Sequence, residues 1–293
     1  MLKVRKMLGS RFRRCTSLIT NKYYTHQSKP IIVEEMSSKA TQTKIASTLR
    51  PHFENQFPVL LKGVNTDSSA TSKWKSLEYL ETKVGGDTPC MVEIGGTYSN
   101  MGTQRQEISF GDYIQYMNMF QKQYGNLATS SGEQPNSKEL VYLAQNDLFS
   151  PLLKDFQLPK LCRDQSLNVG FGSLYSTMLW FGPRTCISPL HFDPLDNLLM
   201  QFVGRKKVVL FPRSPSQNKD GAGWHYAGCD GQQYNTSPVD ILNPDIKKYP
   251  KFVKAPTAIV CYLDPGDVCY IPKKWWHHVT SIDTSISVNA WWR

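Results

Sequence analysis

The sequence contains no two cysteines separated by two residues, no internal repeat, no coiled coil and no acidic residue before Glu34. It also has no apolar run near the ~20 residues that a membrane-crossing helix needs. Each absence removes a class of protein. The seven cysteines (Cys15, Cys90, Cys162, Cys186, Cys229, Cys261 and Cys269) are odd in number and lack zinc-ligand spacing, which argues against a disulfide framework and a cysteine-held zinc. Free thiols in a reducing compartment are the expectation, most of them serving as small buried apolar residues. Without a long apolar segment, no membrane partner is expected.

The missing acids locate the charge. Of the formal net charge of +10, eight units come from Lys3, Arg5, Lys6, Arg11, Arg13, Arg14, Lys22 and Lys29. Removing them leaves about +2 on the remaining chain, an ordinary near-neutral surface with too little excess to expect a nucleic-acid partner. Residues 1–33 are also rich in hydroxyl side chains and carry no unbroken apolar core of the secretory kind. They read as a mitochondrial transit peptide, which gives a mitochondrial location. A basic tail on a nuclear or cytoplasmic protein is the alternative.

The rest divides by texture into 34–165, a region of helices and strands, and 166–293, a run of short strands, together expected to form one structural unit. In the first part the apolar spacing predicts helices over 38–55, 74–84 and 109–124, the last capped by Ser109. Phe57–Gly63 and Met91–Gly95 read as strands. In the second part Ser176–Phe181, Asn197–Val203, Lys207–Phe211, Thr257–Leu263, Val268–Ile271 and Ser285–Trp291 read as strands broken by Gly, Pro and Asn, the pattern of a β-barrel or sandwich. Asp264-Pro265-Gly266-Asp267 is a turn. Residues 212–249 read as a long insertion of the kind that serves function at a barrel mouth.

The chemistry concentrates in His191-Phe192-Asp193 and Trp276-His277. Two imidazoles and a carboxylate are the ligand set of a facial triad, which holds one face of Fe(II) and leaves three positions for a co-substrate and dioxygen. In a strand, residues i and i+2 share a side, so His191 and Asp193 can meet one ion while Phe192 packs away from it. Only one of His277 and His278 can join them, since adjacent residues take opposite sides of a strand.

Around these residues lie Ser188-Pro189-Leu190, Asn197, Gln201, Gly204-Arg205-Lys206-Lys207, Pro265-Gly266-Asp267, Ile271-Pro272 and Trp276-His277. In this order they resemble the JmjC cupins, Fe(II)- and 2-oxoglutarate-dependent oxygenases. Within that family the chain is most similar to the arginyl hydroxylases of the JmjC-domain-containing protein 5 (lysine demethylase 8) type, through Tyr142-Leu143-Ala144-Gln145, Leu179-Trp180-Phe181-Gly182-Pro183, Asn243-Pro244-Asp245 and Trp291-Trp292. The resemblance covers roughly residues 55–293. It implies a mainly β fold: a double-stranded β-helix (jelly-roll) core flanked by N-terminal helices and strands. It implies Fe(II) on His191, Asp193 and His277, and 2-oxoglutarate held by Lys206 with Tyr142, Ser188 and Asn197. Asn289 lies where a relative contacts the cofactor, although the nearest branch carries Ser there. Without the resemblance, Lys206 would read as strand-edge charge.

The same resemblance implies a protein or peptide substrate hydroxylated on C-3 of an arginine, with succinate and CO2 as co-products. Glu93 and Tyr98 match a guanidinium pocket, with Trp180 as an aromatic wall and Asp240 as a weaker second acid. An exposed strand carboxylate at 93 and a core residue at 180 are the plain alternatives. Three functions stay open: a protein hydroxylase, another oxygenase (a methyl-lysine demethylase or a tRNA-base hydroxylase), and a peptide-binding cupin without turnover. No segment follows Trp292-Arg293 to form the long C-terminal helices through which some relatives dimerise, so a monomer is expected.

Overall fold

The computed structural model describes residues 28–97, 104–125, 135–212 and 235–293. The leader up to residue 27, Tyr98 and most of the expected insertion lie outside the described residues. Two sheets face one another. In chain order the strands are β1 (Ser28–Pro30), β2 (Ile32–Glu35), β3 (Val59–Lys62), β4 (Pro89–Ile94), β5 (Gln104–Ser109), β6 (Val141–Asp147) and β7 (Leu174–Gly182). They continue with β8 (Ile187–Phe192), β9 (Asp196–Val203), β10 (Lys206–Phe211), β11 (Ala258–Leu263), β12 (Val268–Ile271), β13 (Trp276–Ser281) and β14 (Ser285–Trp292). The smaller sheet runs β1-β11-β10-β13-β8 and the larger β2-β3-β12-β9-β14-β7-β6-β4-β5. This is the jelly-roll core, extended by β1 on the smaller sheet and by β2 to β6 on the larger.

Among the described residues, four α-helices precede the barrel strands: α1 (Gln42–Glu54), α2 (Ser69–Lys73), α3 (Leu77–Val84) and α4 (Phe110–Tyr124). Each begins where a hydroxyl side chain accepts a hydrogen bond from an early backbone N–H: Thr41, Ser68, Ser76 and Ser109. The helix expected over 74–84 starts later than the spacing suggests. Trp74 closes α2, and Ser76 caps α3 as a new helix. Trp74 is fixed there because its Nε1 donates to Asp155 Oδ2 across 2.9 Å.

The packing follows the strand period of two. On β14, Ile286, Val288, Ala290 and Trp292 join the core between the large sheet and the helices, which turns Ser285, Ser287, Asn289 and Trp291 inward. On β10, Val208 and Leu210 pack between the sheets, whereas Val209 and Phe211 pack outside with Phe192, Trp276 and Phe252. The turn at 264–267 forms as expected: Asp267 N–H donates to Asp264 O, and Gly266 supplies φ +99°. Cys90, Cys162, Cys186, Cys261 and Cys269 are free and buried. Among the described residues no helix is long and apolar enough to cross a membrane.

Candidate functional site

A cavity of about 260 Å³ opens between the two sheets. The alternation that builds the core also supplies its lining. Leu190 and Phe192 pack outward, so Pro189 and His191 face in from β8. Trp276 packs against Phe192 at 5.0 Å between ring centroids, so His277 and Val279 face in from β13 while His278 is absent from the lining. Lys206 shares the inner parity of Val208 and Leu210, and Lys207 does not. From the large sheet come Tyr142, Trp180, Asn197, Leu199, Asn289 and Trp291.

His191, Asp193 and His277 meet, their ligand atoms all within 4.8 Å of one another. Asp193 lies one residue beyond the end of β8 at Phe192, so the His-x-Asp pair is a strand residue and its first loop neighbour rather than two strand residues. His191 Nδ1 contacts Pro189 O at 2.7 Å and His277 Nδ1 contacts Trp275 O at 3.0 Å. A carbonyl only accepts, so each Nδ1 carries the hydrogen and a neutral ring turns the lone pair of Nε2 toward Asp193. The Nε2 atoms stand 3.9 Å (His191, to Oδ1) and 3.6 Å (His277, to Oδ2) from that carboxylate. Burial, and then the neighbouring His191, push His277 down to about 4, so it is neutral at physiological pH. Two imidazoles and one carboxylate are a donor set suited to Fe(II) with open positions.

Lys206 is fully buried, and burial pushes its ammonium down to about 7. Its Nζ donates to Ser287 Oγ at 2.6 Å, and among the described residues no carboxylate forms an ion pair with it. A buried cation lacking a counter-charge suits a small anion. Tyr142, held protonated by burial and hydrogen-bonded to Ser188, lines the same cavity. Asn197 Nδ2 reaches Asp193 Oδ2 at 3.5 Å, and Asn289 Oδ1 accepts from Trp180 Nε1 at 2.9 Å. These residues fit a dicarboxylate bound between a cation and a metal.

The expected substrate residues divide. Trp180 lines the cavity and Tyr98 lies outside the described residues. Glu93 is buried, not an exposed strand carboxylate. Cys90 and Val92 of β4 pack toward the helices, which puts Glu93 on the face that its cross-strand neighbour Tyr142 presents to the cavity. It is absent from the cavity lining, however, and Arg105 Nε lies 2.9 Å from its Oε1. Asp240 is exposed, outside the lining, and accepts from Leu242 N–H in a local turn. Part of the expected insertion does reach the site: Asn235 and Thr236 line the cavity, and Phe192 N–H donates to Asn235 O along the edge of β8. Sequence reasoning missed Ser287 as the partner of Lys206 and Trp291 as a donor to Asp193. The polar–apolar alternation of Ser285-Ile286-Ser287-Val288-Asn289 carried the signal for Ser287.

Comparison with known proteins gives the family. Residues 45–293 match the cupin-like domain family. The chain is 30% identical over 257 residues to a protein of Arabidopsis thaliana named Lysine-specific demethylase JMJ30, covering 87% of this chain and 54% of that protein. It is 31% identical over 270 residues to Lysine-specific demethylase 8 of Xenopus tropicalis, covering 89% and 55%. To Jumonji C domain-containing protein 5 of Drosophila melanogaster it is 31% identical over 243 residues, covering 82% and 55%. The chain spans about half the length of these relatives. Matched across its barrel and the segments that flank it, the chain belongs to the cupin-like JmjC family.

Proposed function

We propose that this chain is a protein hydroxylase that uses Fe(II) and 2-oxoglutarate and acts on an arginine side chain. The observation that carries the oxygenase part is the pairing, in one cavity, of the His191–Asp193–His277 cluster with Lys206, a buried cation that pairs with no carboxylate among the described residues. In this reading His191, Asp193 and His277 hold Fe(II). Lys206 and Ser287 take the far carboxylate of 2-oxoglutarate, with Tyr142, Ser188, Asn197 and Asn289 as polar neighbours. When bound, iron and 2-oxoglutarate supply the oxidising power that converts a substrate C–H and dioxygen to C–OH, with succinate and CO2 released.

The protein's own part is placement. The carbonyls of Pro189 and Trp275 accept from the two Nδ1 atoms, so each ring offers Nε2 to a metal. Lys206 brings a positive charge into a dry space where water does not compete for the anion. Trp180, Trp291 and Tyr175 wall the cavity with aromatic faces, suitable for a flat cation. The arginyl part rests on those faces and on Glu93, which pairs with a guanidinium inside this chain.

A second reading takes its support from two relatives named lysine-specific demethylases. The same machinery acting on an N-methyl group would remove it rather than leave a stable alcohol. Succinate formation by the pure protein with Fe(II) and 2-oxoglutarate tests the shared chemistry. It is expected in the wild type and absent in His191→Ala, and equal turnover in both would sink the proposal. The composition of residues 1–33 supports a mitochondrial address. That segment fused to a fluorescent protein should direct it to mitochondria, and nuclear or cytoplasmic fluorescence would favour the alternative.

A further inference from the structure

Asp193 has two chemically unequal oxygens. Trp291 Nε1 donates to Oδ2 across 2.9 Å, and Asn197 Nδ2 reaches the same atom at 3.5 Å. Oδ1 accepts no hydrogen bond among the described residues, and the nearest ionisable partner is His191 Nε2 at 3.9 Å. Asp193 lies past the end of β8 in the smaller sheet, so no strand ladder holds its side chain. The indole donor comes instead from the opposite sheet, where Trp291 lies on β14 beside Asn197 in register.

Trp291 is itself held firmly. Its neighbour Trp292 is fully buried on the helix side and donates through Nε1 to Val169 O at 3.3 Å, which fixes the rotation of the strand end. Trp291 is only 9% exposed, so water competes poorly for its N–H. A hydrogen bond from a neutral donor to a carboxylate in such surroundings is about twice as strong as a neutral pair.

Resting on the reading that the cluster holds Fe(II), we propose that Trp291 is a positioning residue for the metal: its indole N–H engages Asp193 Oδ2 and presents Oδ1 to the ion. A carboxylate free to rotate could use both oxygens and take one of the positions that 2-oxoglutarate and dioxygen require. The indole keeps that position clear. Trp291 therefore acts through Asp193, and its contribution lies in the N–H rather than in the area of the ring.

The test is a titration with Co(II), followed by visible absorption, of the wild-type protein, Trp291→Phe, and a variant with the benzothiophene isostere of tryptophan at 291. The isostere keeps the ring shape and lacks only the N–H. Both substitutions should weaken Co(II) binding about 10- to 100-fold, the usual effect of removing a hydrogen bond to a metal ligand. 2-Oxoglutarate affinity of the Co(II)-loaded isostere should fall as well, while the metal-free isostere still unfolds in one cooperative transition, as the wild type does. Should Trp291→Phe fail to fold, the isostere decides alone. Wild-type Co(II) affinity in the isostere would overturn the proposal and leave Trp291 as packing. Failure of the wild type to bind Co(II) would overturn the metal reading itself, and the positioning role with it.

Discussion

Lys206 of the smaller sheet donates to Ser287 of the larger across 2.6 Å, a single hydrogen bond that bridges the two walls of the barrel beside the metal cluster. It is the only partner the described residues give a fully buried ammonium, and that scarcity makes the site responsive to a ligand anion. Lys206→Ala is expected to raise the dissociation constant for 2-oxoglutarate by about 10- to 100-fold, from loss of a charge-assisted bond worth about 1.5–3 kcal/mol. Metal affinity in the absence of 2-oxoglutarate should not change. Calorimetry on both ligands checks the split, and equal loss of the two would point to a disrupted fold.

The same lysine gives a pH dependence. Its folded-state pKa is about 7 against an ordinary 10.5, so between these values the unfolded chain holds a proton that the folded chain has released. Where the unfolded state binds more protons, stability rises with pH, so this residue makes the ligand-free protein more stable as pH climbs from about 7 to 10.5. A bound carboxylate reverses the preference by favouring the ammonium. 2-Oxoglutarate binding above about pH 7 is therefore expected to take up a proton and to weaken as pH rises. Calorimetry in buffers of different ionisation enthalpy measures that uptake, and its absence in wild type would remove Lys206 from the anion site.

Gly182 supports the pocket from behind. A Cβ there would lie 2.5 Å from Tyr142 Cδ2 and 3.1 Å from Cys186 Sγ. Gly182→Ala must displace the Tyr142 ring, at an overpacking cost of about 1–3 kcal/mol. The expected outcome is a lower melting temperature and weaker 2-oxoglutarate binding with Co(II) affinity retained. Unaltered 2-oxoglutarate binding would show that Tyr142 does not touch it.

Glu93 tests the substrate assignment. Glu93→Gln keeps the shape of the side chain and removes its charge. Hydroxylation of arginine peptides should fall about 10-fold or more, the scale of a lost hydrogen bond to a charged group, while 2-oxoglutarate affinity holds. Undiminished peptide hydroxylation would return Glu93 to the purely internal pair it makes with Arg105.

Much of this site was legible because strands impose a period of two. His191 and Asp193 flank apolar Phe192, so strand alternation predicted that they would share the interior, whereas Asn197, Asn289 and Lys206, which sits between Arg205 and Lys207, were placed there by the resemblance. What was not legible depended on long-range contacts. The break after Trp74 comes from Asp155, far along the chain. Asp193 leaves its strand because its backbone carbonyl accepts from Lys274 N–H at 2.7 Å in another loop. Nothing local to Trp291 reveals that its N–H would meet a carboxylate 98 residues away. Asp240 read as a second substrate acid on its residue type alone, whereas its side chain serves its own turn.

The most direct test of the central claim is the mass of an arginine-containing peptide after incubation with the pure protein, Fe(II) and 2-oxoglutarate, read together with the succinate formed. The account predicts a gain of one oxygen's mass on arginine, matched mole for mole by succinate and lost in His191→Ala. Loss of a methyl group from a methylated lysine peptide, with the arginine peptide unchanged, would contradict the arginyl assignment. The absence of both succinate and any change in peptide mass would contradict the oxygenase.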